Sequence, residues 1–399
     1  VDIPANGEYV KPMGIYLLLT LGALSAFGPL TIDLYLPGFS LIAKDLGVTV
    51  SEVQYTLTSF LAGLSIGQLI YGPISDRIGR KKPLVFGILV YIIASVAISY
   101  STSLESLVAL RFVQALGSCV GMVITRAIVR DMFEPKEAAK VFSLIILVMG
   151  VAPIIAPLLG SQILLVATWR LVFILLAVFG AVTLFGVLTF VPETIKEKSP
   201  LSVGFKNYYH LLFDRQFIIA TIISGTIMGS MFSYVSGSPF VFINIFKITP
   251  KVYPFVFGGN ALGFIVFSQI NSRLLNHFTL DGILKFGIST CLTGSVMMSF
   301  SLFFDLPNYV FFTALFFSIA SIGFVLPNIT AKALEHQRKR AAVASALMGS
   351  LQFLISSIGS VLVTVFANHT AWPMNIVMVS FMLISFLLYM FGIHQKADQ

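Results

Sequence analysis

Charge is what this chain has least of. Of its 399 residues only 11% are Asp, Glu, Lys or Arg, while 57% are hydrophobic. A soluble domain carries about a quarter charged residues, so that class is excluded. The apolar residues come in runs of about 20 rather than in amphipathic stripes, which is the length a bilayer requires. There are only 2 cysteines, Cys119 and Cys291, in apolar runs of opposite halves. That spacing excludes a disulfide framework and a thiolate metal centre. The 5 histidines, His210, His277, His336, His369 and His394, all fall at run ends or in loops. Neither a histidine metal site nor a Ser/His pair can be assembled inside the spans. Tryptophan is also rare, 2 against 37 Phe, a balance suited to lipid contact and helix packing. The first apolar run is too long for a cleaved signal peptide, lacks an Ala-x-Ala end and carries Asp33. The missing initiator Met is read as a few residues trimmed ahead of Val1.

Runs of the required length predict an all-α membrane protein of twelve helices. The first six are expected near 14–37, 52–72, 84–101, 105–127, 141–166 and 169–191, and six more near 216–243, 252–274, 284–304, 309–331, 342–367 and 373–393. A polar stretch, 192–215, separates residues 1–191 from 216–399, giving two six-helix bundles and a cytoplasmic linker. Within it Leu201–Phe213 reads as a short amphipathic helix on the membrane surface. Orientation follows from basic residues. With both termini in the cytoplasm, the loops around Arg77–Lys82, Arg130–Lys140, Lys196–Arg215, Arg273–Lys285 and Lys332–Arg340 all lie inside, and the opposite side keeps only Lys44, Arg170, Lys247 and Lys251. The net charge of +8 is thereby explained by topology, without nucleic acid. A faint repeat supports paired halves: Gly72-Pro73-Ile74-Ser75-Asp76-Arg77 against Ser268-Gln269-Ile270-Asn271-Ser272-Arg273, then Phe86-Gly87-Ile88 against Phe286-Gly287-Ile288.

Asp33 is the one carboxylate that cannot be moved to a membrane surface. A charge at mid-bilayer costs about 2.5–3.5 kcal/mol on insertion scales, so it needs a partner, a water-filled cavity or a proton. Pro29 and Pro37 flank it and Tyr35 lies two places on. These features predict a proton-binding site. Arg111 is its natural partner: at 1.5 Å per residue both sit within about 6–9 Å of the outer helix ends. Tyr35, Phe60, Gln114, Phe232, Tyr234 and Asn260 are the candidates for contact with a transported solute. One evident acid and one evident base predict a neutral or zwitterionic amphipathic solute, exchanged for a single proton.

The stretch Gly72-Pro73-Ile74-Ser75-Asp76-Arg77-Ile78-Gly79-Arg80-Lys81-Lys82 resembles the signature G-x-L-x-D-R-x-G-R-K/R of the major facilitator superfamily, placed in the loop between helices 2 and 3. The positive-inside rule accounts for the basic residues but not for Gly72, Asp76 and Gly79 at these spacings. An acid here can sit at the positive end of another helix. Ala341, Ala342, Ala344 and Ser345 leave room for Asp76 at the start of helix 11. The resemblance implies that Gly72, Asp76, Arg77, Gly79 and Arg80 control conformation. Arg111-Phe112-Val113-Gln114 resembles the superfamily's R-x-x-Q-G motif, with glycine delayed to Gly117. Gly150-Val151-Ala152-Pro153-Ile154-Ile155-Ala156-Pro157 resembles the helix-5 motif of its antiporters, which implicates Gly150, Pro153 and Pro157 in gating.

The whole is similar to the bicyclomycin/chloramphenicol-resistance (Bcr/CflA) branch of drug–proton antiporters. Ile32–Pro37, Arg126-Ala127-Ile128-Val129-Arg130-Asp131, Trp169-Arg170, Ser236-Gly237-Ser238-Pro239-Phe240 and Ala344–Gly349 carry that resemblance. It implies a monomeric, multi-pass exporter in the bacterial inner membrane, with a small-molecule substrate, protons as coupling ion and no other cofactor. Some relatives carry a second acid two turns before the first, where this chain has Ser25. An intramembrane enzyme lacks its constellation here, and a channel lacks a filter or ring of like residues. A proton-coupled importer of the same fold is the remaining alternative.

Overall fold

The computed structural model describes residues 13–195, 208–335, 337 and 341–393. Among them, twelve helical segments are long and apolar enough to cross a membrane. The first consists of α1 (Met13–Asp33), a 3-10 turn (Leu36–Gly38) and α2 (Phe39–Leu46). Then follow α3 (Val50–Ile78), α4 (Lys81–Ser99), α5 (Leu104–Met132), α6 (Pro135–Val166) and α7 (Trp169–Phe190). The second half contains α8 (Arg215–Pro239), α9 (Tyr253–Leu274), α10 (Leu280–Phe303), α11 (Asn308–Ala320), α12 (Ile322–Leu334), α13 (Ala341–Val365) and α14 (Trp372–Leu388). The expected surface helix at 201–213 lies partly outside the described residues; 208–212 are helical.

Local chemistry explains where these helices begin and break. Thr49 and Glu52 form a reciprocal capping box that starts α3, and the Ser103 side chain caps α5 at the Ser106 N–H, closing a connection of only four residues. Helix 1 was expected to reach residue 37, but it stops at Asp33. Pro37 has no N–H to return to the Asp33 carbonyl, so the helical ladder cannot continue there. The span expected at 309–331 is likewise interrupted at Ser321, between α11 and α12. The motif expected in a loop is also relocated: Gly72–Ile78 forms about the last two turns of α3, and only Gly79 and Arg80 are non-helical.

The α3–α4 connection, the end of α5 and the segment after α7 meet at Arg80, Asp131 and Glu193, on what is here the basic face; the opposite one is the far face. The halves meet along α3 and α13, and along α6 and α9. Toward the far face, Thr364 donates to Gln54 Oε1 (3.0 Å) and Thr58 to Ser360 (2.7 Å). Ser360 donates in turn to Ser236 (3.0 Å), and Ser161 on α6 donates to the Pro250 carbonyl (3.2 Å). Deeper, Ser65 and Ser350 lie 3.2 Å apart. Beyond that level the halves separate around a cavity of about 300 Å³ that opens on the basic face.

Candidate functional site

The break after α1 is held in place by close packing. A Cβ at Gly160 of α6 would run into the Leu34 carbonyl oxygen, and one at Gly121 of α5 into that of Leu24. Only the missing side chains let both helices press against α1. Asp33 is thus fixed at the end of α1, 5% exposed. Among the described residues no cation comes within ion-pair distance of it.

Arg111 is completely buried on α5, but it does not pair with Asp33 as its depth suggested. One Nη1–H donates to Gln114 Oε1 (2.6 Å) and reaches the Thr31 carbonyl (3.4 Å), two residues short of Asp33. The guanidinium lies 4.3 Å from the ring centres of both Tyr35 and Phe60. Nε and Nη2 find no acceptor at hydrogen-bond geometry among the described residues, although the Tyr35 hydroxyl is close enough to act on the charge. The aromatic faces replace a carboxylate, because a ring quadrupole attracts a desolvated cation. The equal-depth estimate was insufficient because depth does not fix the azimuth of a side chain on its helix.

Gln114, expected at the solute, belongs instead to a closed circuit. Its Nε2 donates to Ser95 (2.7 Å), Ser95 donates to the Tyr91 carbonyl (2.7 Å), and the Tyr91 hydroxyl meets Thr31 Oγ1 (2.7 Å). Thr31 closes the loop through its carbonyl to Arg111. Gln114 therefore orients Arg111. The spacing of Gly117 follows from the same neighbour: a Cβ there would lie 2.6 Å from the Gly87 carbonyl oxygen on α4.

The other candidates separate by half. Tyr35 and Phe60 sandwich Arg111, and the Tyr35 hydroxyl meets Thr56 (3.1 Å). Asn260 donates to the Tyr234 hydroxyl (3.0 Å), and Tyr234 stacks on Phe257. Phe232 lies beside Phe353. Tyr91, Ser95 and Tyr253 were missed, although Tyr91 and Ser95 stand one helical turn apart, a spacing that could have marked a shared face.

At the basic face Arg80 is the hub. Only 5% of its side chain is exposed, and it bonds Asp76 (2.5 Å), Asp131 (3.0 Å) and Ser75 (2.8 Å). Asp76 thus pairs within its own end of α3, while Ser345 of α13 lines the same cavity. The expected contact with Ala341 and Ala342 lies outside the described side chains. Arg77 is exposed. Gly79 has φ +101, open to glycine at no steric cost, and the Glu193 carboxylate fills the space a Cβ would need. Glu193 accepts from the backbone N–H of Arg80 (2.8 Å) and Lys81 (3.1 Å). On α6, Gly150 faces Ile265 of α9, where a Cβ would sit at 3.3 Å, and Pro153 and Pro157 lie within the helix. The antiporter-like motif therefore lies at the seam between the halves. Among the described residues no cluster of His, Cys, Asp and Glu could hold a metal ion.

A seam between two six-helix halves, with charged groups on one side of it, is an architecture that comparison can test. The family model of the Major Facilitator Superfamily matches residues 19–360. The chain belongs to this superfamily. It is 38% identical over 368 residues to the MFS-type transporter YdgK of Bacillus subtilis, covering 91% of each chain. It is 30% identical over 378 residues to a bicyclomycin resistance protein homolog of Haemophilus influenzae, covering 94% of this chain and 95% of the relative. Among solved structures, a D-xylose-proton symporter aligns over 93% of this chain and 96% of its own, at TM-score 0.73 and 14% identity. The last shows the fold alone. The resistance relative agrees with the branch that the helix motifs resemble, and the protein is a transporter of this superfamily rather than an enzyme.

Proposed function

We propose that this transporter exports a small amphipathic molecule, of the kind represented by phenicols, bicyclomycin or siderophore-like metabolites, in exchange for protons by alternating access. The carrying observation is Asp33: a carboxylate 5% exposed, at a helix break, with no ion pair among the described residues. A buried acid without a cation is stable only as the protonated form, and it ionises when a rearrangement brings water or a cation to it. That dependence couples proton release to conformation. Arg111, held near the Asp33 backbone by Thr31 and Gln114, is the cation within reach of such a rearrangement. The positive-inside rule puts the basic face and both termini in the cytoplasm of a bacterial inner membrane, with the cavity open to the cytoplasm. Asp76, Arg77 and Arg80, with Gly72 and Gly79, and Gly150, Pro153 and Pro157 at the seam, set the balance between states.

The test is transport by reconstituted protein under an imposed pH gradient, with Asp33→Asn as the variant. The substitution should abolish gradient-driven accumulation while leaving counterflow intact. Accumulation that persists in Asp33→Asn overturns the coupling role. Proton-driven movement in the same direction as the proton would favour the importer, the direction of the D-xylose-proton symporter that shares the fold.

A further inference from the structure

The circuit around Arg111 leaves one charged stretch of α5 unexplained, the segment from Arg126 to Asp131. Asp131 is accounted for by Arg80 and by Thr194, which donates to it at 3.0 Å. Arg126 and Arg130 are not: both border the basic-face cavity, and among the described residues neither has an ion-pair partner. Three guanidiniums (Arg80, Arg126 and Arg130) and one carboxylate (Asp76) line this cavity, and with Asp131, which also pairs with Arg80, the local balance is one net positive charge. Asp76 is already paired to Arg80, so the excess belongs to the other two.

Arg126 has the more telling position. It stands six residues before the end of α5 at Met132, about 9 Å inside the helix end. Its side chain is nevertheless exposed, because it borders the cavity. Loop arginines satisfy the positive-inside rule without being placed so deep, and a cation at that depth needs a counter-charge or a water-filled space. Met122 and Arg130 stand one turn either side of Arg126, on the same face of α5. The Gln68 and Ser345 side chains, from α3 and α13, border the same space, so both halves contribute to it.

We propose that this cavity docks the anionic head of an amphipathic solute, a carboxylate or sulfonate, with Arg126 as its principal ligand and Met122 and Phe142 against the apolar body. A planar guanidinium suits such a head because it offers two parallel N–H donors. The inference rests on the export reading in one respect: the occupant is cargo entering from the cytoplasm. It also narrows the expectation of a neutral or zwitterionic solute, which counted only Asp33 and Arg111, because an uncharged molecule carries no such head. A phospholipid headgroup presents the same anionic chemistry. The solute is favoured because Ser345 and Gln68 belong to opposite halves, so a rearrangement of the halves would take the site apart and release what it held.

The test is binding without any gradient, so its outcome is independent of proton coupling and of the Asp33→Asn result. The full chain in phosphatidylcholine nanodiscs is titrated with naphthalene-2-sulfonate and with the uncharged naphthalene-2-sulfonamide. The sulfonate should bind at least about tenfold more tightly, the worth of one charge-assisted hydrogen bond. Arg126→Gln should erase that preference, weakening the sulfonate far more than the sulfonamide, and Arg126→Lys, which keeps the charge, should retain part of it and serves as the folding control. Equal affinity of the two probes, or a preference that survives in Arg126→Gln, overturns the assignment. A third arm adds phosphatidylglycerol. If that lipid suppresses sulfonate binding in the wild type but not in Arg126→Gln, the site holds headgroups and solute docking is overturned.

Discussion

Inside the N-terminal half the buried polar groups include charges: Asp33 at the end of α1, Arg111 between two aromatic rings, and Arg80 between two aspartates. Among the described residues, the corresponding interior of the C-terminal half holds no buried charge. Asn260 donates to Tyr234, Asn328 donates to Asn271 (2.7 Å), and Ser295 meets Ser318 (2.9 Å). Both halves fold by the same packing of apolar helices, so the charges are not needed for the fold. Neutral pairs satisfy their own donors and acceptors at little cost, whereas a buried ion is expensive wherever it is not fully paired. The difference teaches that the two halves are chemically unequal: under the proposed exchange of protons, the groups that would change state are in the N-terminal half, and the C-terminal half would supply a surface for them to work against.

Three substitutions probe that division. The largest expected effect on transport comes from Arg111→Met. Because the substitution leaves the buried Gln114 Oε1 without its donor, while Nε and Nη2 had no acceptor among the described residues to lose, stability should fall by no more than about 1–3 kcal/mol. Gradient-driven transport should fall to background. Thermal melting together with proteoliposome flux decides it: a variant that transports normally, or one that unfolds, would remove the distinction between the halves.

The converse holds for Asn328→Leu. It breaks the mutual amide pair and leaves Asn271 without that partner, a loss of about 1–3 kcal/mol. Replacing both asparagines by leucine should recover part of it, with coupling near the ~0.6 kcal/mol typical of such pairs in membranes. Once allowance is made for the amount of folded protein, flux per molecule should stay within a few-fold of wild type. A coupling defect in the folded variant would mean that the neutral half does more than support.

The smallest effect is expected at Glu193. Burial would push its carboxyl up, but the backbone N–H groups of Arg80, Ile195, Lys81 and Thr194 donate to it and hold it below the ordinary glutamate value of 4.5. A group lowered on folding stabilises above its unfolded pKa and loses that contribution as pH falls through the folded one. Melting temperature should therefore be insensitive to Glu193 ionisation at neutral pH and decline below about 4.5, with Glu193→Gln flattening that decline. An identical acid limb in both proteins would show that this junction of α3, α4 and α7 does not depend on the carboxylate.

What the sequence determined by itself is the part governed by local composition. Runs of twenty apolar residues can only be spans, because backbone polar groups in lipid must be bonded within the segment, and eleven of the twelve helix starts fall within about four residues of their expected place. The family was legible for a related reason: Gly72, Asp76, Gly79 and Arg80 fall within nine consecutive residues, so their spacing can be read in the linear pattern even though their contacts reach Asp131 and Glu193. The tertiary structure decided which groups face each other. That Arg111 meets Tyr35 and Phe60 rather than Asp33, that Gln114 belongs to a circuit through Ser95 and Tyr91, and that Arg126 looks into a cavity are facts about the rotation of one helix against another. Hydropathy reports depth along the membrane normal and carries no information about azimuth. Only close contacts such as Gly160 against Leu34 and Gly117 against Gly87 fix those rotations, and the partners lie 126 and 30 residues apart in the chain.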